Sequence, residues 1–162
     1  MTQEGFKSIF DAHFDSVRNY VYYRSGDTEL STDIAQETFM KVWEKQLHIG
    51  SDHIAALLYK IAGDLFVSNY RKQKVALNFK LNVKPEVTGG ISPEDQMRFE
   101  ELKGRYNKAL KELPEKQRIV FLMSRVDGLK YHEIAEKLGL SVKAVEKRMK
   151  NALAFLKKVL VD

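Results

Sequence analysis

Apolar residues recur three and four positions apart in one stretch of the chain after another, a period that fits helices. Phe6, Ile9, Phe10, Phe14, Val17 and Val21 make the first stripe, which ends near Gly26. Leu30, Ile34, Ala35, Phe39, Val42 and Trp43 make the second, entered through Asp27-Thr28, where either side chain can cap. A polar, glycine-containing break follows from Lys45 to Asp52. Ile54, Leu57, Leu58, Ile61, Ala62, Leu65 and Phe66 form a third helix, which runs out in Arg71-Lys72-Gln73-Lys74, where the helix dipole favours positive charge. Residues 76–91 hold Pro85, Gly89 and Gly90, keep no period, and predict a linker. Beyond it, Ser92-Pro93-Glu94-Asp95 is a helix start, with a capping serine, proline at the first helical position and acids in the first turn. Leu102, Tyr106, Ala109, Leu110 and Leu113 continue that helix's apolar side, and Pro114 opens the next. In the latter, Ile119 to Met123 is apolar nearly all round and is expected at the centre of a second core, before Asp127-Gly128 ends it. The three prolines, at 85, 93 and 114, stay outside the periodic stretches, as an all-helical protein requires. The expected fold class is all-α, with two small helical domains at 1–75 and 92–162 and a flexible linker at 76–91.

From Tyr131 to Lys158 the pattern sharpens into a helix-turn-helix. Tyr131, Ile134, Ala135 and Leu138 share one face of a short helix, Gly139 can close it in a left-handed conformation, and Ser141 offers a cap to the next. That second helix is expected to bury Val142, Val145, Met149, Ala152 and Leu156, leaving Lys143, Glu146, Lys147, Lys150 and Asn151 on or near the other face. A short glycine turn followed by a cationic helix is the geometry by which side chains reach base edges in the major groove. The competing reading is an antiparallel helix pair whose lysines are a solvated face. Charge placement favours the first: residues 141–162 carry six Lys/Arg against two acids, nearly all of a net charge of +5.

A chain of 162 residues, 44% hydrophobic and 30% charged, can bury one good core or two small ones. Its charge is unevenly divided, nine Lys/Arg against ten Asp/Glu through Val75 and eighteen against twelve beyond. That excess points to a polyanion, nucleic acid first, and to selective binding. Cysteine is absent, which excludes disulfides and thiolate metal sites and fits a reducing compartment. No signal peptide and no membrane-spanning stretch is visible, so the expectation is a cytoplasmic protein without membrane insertion.

Catalytic patterns are lacking. There is no phosphate-cradling glycine loop, no HExxH pair and no GxSxG nucleophile. His53 and Asp64 lie three turns apart on one predicted helix, and His132 is placed on an exposed side. Neither an enzyme, a metal site nor a cofactor is expected.

These residues resemble a known family. Asp33-Ile-Ala-Gln-Glu-Thr-Phe39 with Lys41-Val-Trp-Glu44, then Ala56-Leu-Leu-Tyr-Lys-Ile-Ala62 running on to Asn69-Tyr-Arg-Lys72, resemble the first domain of the extracytoplasmic-function (ECF) group of sigma-70 factors. Leu113-Pro-Glu-Lys-Gln-Arg-Ile-Val-Phe121, Gly128-Leu-Lys-Tyr-His-Glu-Ile-Ala135 and Leu140-Ser-Val-Lys-Ala-Val145 are similar to its second. The order and spacing along one chain, from about Phe6 to Leu160, make the resemblance specific.

The resemblance implies a promoter-specificity subunit of bacterial RNA polymerase. Asp33, Gln36, Glu37 and Lys41 would contact core polymerase, although an acidic solvated face also explains the acids, and Trp43 is read first as core. His48, His53, Lys60, Asp64, Arg71, Lys72 and Lys74 would serve the −10 region, the loop histidines at a flipped base and the cations at phosphate. Lys143, Glu146, Lys147, Arg148, Lys150 and Asn151 would serve the −35 element, with Lys147, Lys150 and Asn151 at base edges. The implied partners are core RNA polymerase, promoter DNA and an anti-sigma factor. Two departures bear on base preference. Ala62-Gly63-Asp64 stands where the family often has Ala-x-Asn, and Glu146 stands where many relatives carry a basic or small residue. Sixteen linker residues span about 20 Å or more, enough for the domains to sit apart on polymerase and together when silenced. Two other classes remain open on the residues alone: a dimeric two-domain helix-turn-helix regulator, and a helical adaptor with a basic face.

Overall fold

The computed structural model of the chain describes residues 1–46, 53–73 and 92–161, with Tyr70 to Gln73 given by backbone alone. His48, Lys74 and the predicted linker 76–91 lie outside these residues. The described residues form seven helices and no strand: α1 Gln3–Ser25, α2 Thr28–Glu44, α3 Ile54–Gln73, α4 Pro93–Glu112, α5 Glu115–Arg125, α6 Tyr131–Leu138 and α7 Val142–Val161.

The punctuation is local chemistry. Thr2 caps α1 through the Gly5 N–H at 3.0 Å. Gly26, at φ 68°, closes it by donating to the Tyr22 carbonyl at 2.8 Å. Asp27, rather than Thr28, caps α2 through the Leu30 N–H at 3.0 Å. Ser92 caps α4 through the Asp95 N–H at 3.1 Å, with Pro93 in the first turn. Each such cap satisfies a backbone donor that a helix start otherwise leaves unpaired, and its loss costs about 1 kcal/mol.

The first three helices pack around aromatic rings. Phe6, Phe10 and Phe14 of α1 surround the buried Phe39 of α2 at centroid distances of 6.4, 5.1 and 5.9 Å. Tyr20 of α1 stacks on Tyr59 of α3 at 4.9 Å with the rings 4° from parallel. Val17, Val21, Ile34, Leu58 and Ala62 fill the space between, all fully buried or nearly so. Each larger side chain among them contributes roughly 2 kcal/mol on burial. In the second half Ile119 to Met123 are all buried, as their all-round apolar pattern requires, against Ile134, Val145, Met149 and Ala152.

Three apolar residues depart from the sequence expectation. Trp43 is 38% exposed, its ring resting on Phe6 at 5.1 Å, so it forms the rim of the first core rather than its interior. Leu102 is 53% exposed and Val142 41%. Both sit at the outer edge of their stripes. Leu102 lies two turns before the first fully buried residues of α4, Ala109 and Leu110, and Val142 lies in the first turn of α7, before the buried positions begin at Val145.

The two halves are in contact. α1 lies against α5, and α3 against α6. Polar groups line this seam. Arg118 of α5 is only 2% exposed; it donates to the carbonyls of Tyr23 at 2.7 Å and Arg24 at 3.1 Å, and to those of Leu113 at 3.1 Å and Leu110 at 3.3 Å. Asp127 accepts from the Tyr23 hydroxyl at 2.6 Å and the Asn19 amide at 3.4 Å. Arg24 pairs with Glu115. Lys137 of α6 lies over the Tyr59 ring at 5.6 Å.

Candidate nucleic-acid and polymerase interfaces

The helix-turn-helix is built by three residues. Gly139 takes φ 67°, in the left-handed region, which lets the Leu140 N–H reach back to the Ala135 carbonyl at 2.9 Å and turn the chain. Ser141 then caps α7 through the Ala144 N–H at 3.1 Å. At the other end of α6 the Glu133 carboxylate accepts from the Lys130 N–H at 3.0 Å, so Glu133 caps α6 from its first turn.

α7 has two distinct sides. Val145, Met149, Ala152 and Leu156 are buried, while Lys143, Glu146, Lys147, Lys150 and Asn151 are all exposed. At 100° per residue those five fall within one arc of about 140°, opposite the buried stripe. The structure thus brings together five of the six residues assigned to −35 reading. Arg148 is the exception. It is half-buried on the flank of α7 and lines a cavity of about 550 Å³ between the halves, with Arg24, Glu115 and Lys116 among its neighbours.

His53, just before α3, and Lys60 and Asp64 on it are exposed and spaced seven and four apart, so they fall on one side of the helix. Arg71 and Lys72 continue the same helix by backbone. Lys60 and Asp64 line a cavity of about 450 Å³ with Leu57, Ile61, Leu65 and Ser68 of α3 and Lys41 and Lys45 of α2. Three lysines therefore surround an apolar floor with one carboxylate at its edge. Lys41, expected with the polymerase contact, also lines this cavity. Asp33, Gln36 and Glu37 are exposed on the outer face of α2, and Met40, 58% exposed, extends that face. No group of residues among those described is arranged to hold a metal ion.

The described residues thus form an all-helical fold with a helix-turn-helix whose second helix has an open cationic face, and with an exposed acidic face on α2. Comparison with known proteins names the family. A model described as "Sigma-70, region 4" matches residues 103–156, which include the whole helix-turn-helix. The chain is 30% identical over 173 aligned positions to the ECF RNA polymerase sigma factor SigW of Bacillus subtilis strain 168, covering 99% of this chain and 91% of that protein. It is 29% identical over 150 positions to the ferric citrate uptake sigma factor FecI of Escherichia coli K12, covering 91% and 86%. Its fold is similar to that of the sigma factor RpoE from Bartonella quintana, solved in complex with the anti-sigma factor NepR, with a TM-score of 0.63, 23% identity and 97% of both chains covered. The chain belongs to the ECF sigma factors of the sigma-70 family.

Proposed function

We propose that the chain binds core RNA polymerase in the cytoplasm and directs it to a promoter without performing chemistry itself. Residues 1–75 form the unit that holds polymerase and the −10 strand, residues 92–162 the unit that reads −35, and 76–91 join them. Asp33, Gln36 and Glu37 form the polymerase contact. Lys41 joins Lys60 and Asp64 at the cavity where an unpaired −10 base and its phosphates are held, with His53 just before α3 and Arg71 and Lys72 near its end. Asp64 favours a cytosine partner, because a carboxylate accepts from a cytosine amino group and repels phosphate. On α7, Lys147, Lys150 and Asn151 contact base edges, Lys143 the backbone, and Glu146 a cytosine or a neighbouring lysine. An anti-sigma factor that covers these surfaces is the expected regulator.

The observation that carries this reading is the open, one-sided face of α7 inside the segment matched by sigma-70 region 4. It is tested by co-elution with bacterial core polymerase. The native chain is expected to co-elute, and the combined Asp33→Ala and Glu37→Ala variant to lose at least tenfold in affinity. Co-elution unaffected by that variant would remove the α2 face from the contact. No co-elution of the native chain would favour a regulator that acts on duplex DNA alone.

A further inference from the structure

We propose that the chain carries its own latch, in which Arg118 and Asp127 of the second half hold α1 of the first, so that opening is a separate step that precedes promoter reading. The proposal rests on the promoter-reading function above. A closed protein of this length has a radius of gyration of about 15 Å, hence a diameter near 40 Å. Elements centred at −10 and −35 are separated by about 85 Å of duplex at 3.4 Å per step. The closed form therefore cannot touch both. The same seam seats the helix-turn-helix turn beside α3: Leu138 and Gly139 line a cavity of about 300 Å³ with Tyr20, Tyr59 and Lys60.

Arg118 makes the seam specific. A helix end leaves its last carbonyls unpaired, and Gly26 returns only to Tyr22. The guanidinium supplies donors to the next two, Tyr23 and Arg24, and at the same time to Leu110 and Leu113 at the end of α4. One buried cation thus joins the negative ends of two helix dipoles from opposite halves. Asp127 adds a second tie through Tyr23 and Asn19, both on α1. Gly63 of α3 admits a third. A Cβ there would lie 3.2 Å from Arg24 Nη1, so glycine leaves the room in which Arg24 sits over the Phe66 ring at 4.7 Å and reaches Glu115 across the seam.

The test is single-molecule energy transfer on the free chain, which has no cysteine to interfere, with dyes at Glu29→Cys and Lys157→Cys, both exposed positions. The native chain is expected in one high-transfer population. Tyr23→Phe removes only the hydroxyl that Asp127 accepts from, so both halves keep their cores while the seam loses a hydrogen bond to a half-buried carboxylate. Its open-to-closed ratio should rise on the order of tenfold to a hundredfold. Its affinity for core polymerase should rise in proportion to the competent fraction. A native chain already in low transfer would overturn the latch, as would an unchanged distribution in a Tyr23→Phe chain of native helical content. A latched native chain that Tyr23→Phe opens, with neither binding core polymerase, would uphold the latch and remove the sigma reading instead.

Discussion

Tyr23 and Asp127 stand 104 residues apart in the chain, and the hydroxyl of one donates to the carboxylate of the other at 2.6 Å. Burial pushes the Asp127 carboxyl above its ordinary pKa, and the hydrogen bonds from Tyr23 and Asn19 and the charge of Lys137 offset only part of that. The same burial, with the Asp127 hydrogen bond, raises the Tyr23 phenol. A carboxyl whose folded pKa lies above its unfolded value binds its proton more tightly when folded. Its contribution to stability is fully present below the unfolded pKa and is lost as pH rises through the folded one. Asp127→Asn should therefore flatten the melting-temperature profile just above the usual carboxylate range. His13 acts in the opposite sense, since burial and then Lys137 hold its pKa down, so its contribution is lost as pH falls from about 6.5. Melting curves of the native and variant chains from pH 4 to 8 separate the two.

Replacing Arg118 removes the donors that four carbonyls use, three of them in buried bonds. Arg118→Leu should lower unfolding free energy by about 3 kcal/mol or more, because buried acceptors left unpaired cost 1–3 kcal/mol each and those of the seam can regain water only by opening. Arg118→Lys should recover a minor part, since an ammonium cannot fork to both helix ends. Urea denaturation followed by circular dichroism measures both.

Gly63 sits in the interior of α3, where alanine would be better by about 1 kcal/mol on propensity alone. Its neighbours predict that Gly63→Ala shows little of this gain, because the new Cβ displaces the Arg24 guanidinium. Combined with Glu115→Ala, which removes the carboxylate that Arg24 pairs with across the seam, the gain should emerge. A double-mutant cycle in urea reads the coupling; strict additivity would refute the steric account.

Lys147 and Lys150 lie on the open face of α7 and away from the seam. Lys147→Ala and Lys150→Ala should weaken −35 use by roughly 1–3 kcal/mol where the lysine reads a base. A lysine that meets phosphate should instead lower the salt slope of DNA binding by about one, with little sequence dependence. Polymerase affinity should stay unchanged in both. Filter binding across a salt series, beside co-elution with core polymerase, distinguishes these outcomes.

Much of the molecule is legible in the sequence where the determining chemistry is local. Gly26, Ser92, Gly139 and Ser141 announce their helix ends because a cap is made by residues within four positions. The exposed face of α7 follows from its period alone. Arg118 does not, because two of its acceptors are 95 and 94 residues away. Its one local signal is its place at the head of Ile119 to Met123: a charge entering a helix buried all round must itself be buried and satisfied. Asp127 reads as a helix stop, and only the seam shows its bonds to α1. The place of Lys41 beside Lys60 is likewise absent from the sequence, since it depends on how α2 meets α3.

As a sigma factor, the chain should confer promoter specificity on polymerase. In vitro transcription with the purified chain, bacterial core polymerase and genomic fragments that include the chain's own upstream region tests it most directly. Discrete transcripts are expected that require the chain and are lost when the −35 segment of their promoter is scrambled. A chain that yields no transcript above core polymerase alone, while footprinting a palindromic duplex without polymerase, would contradict it.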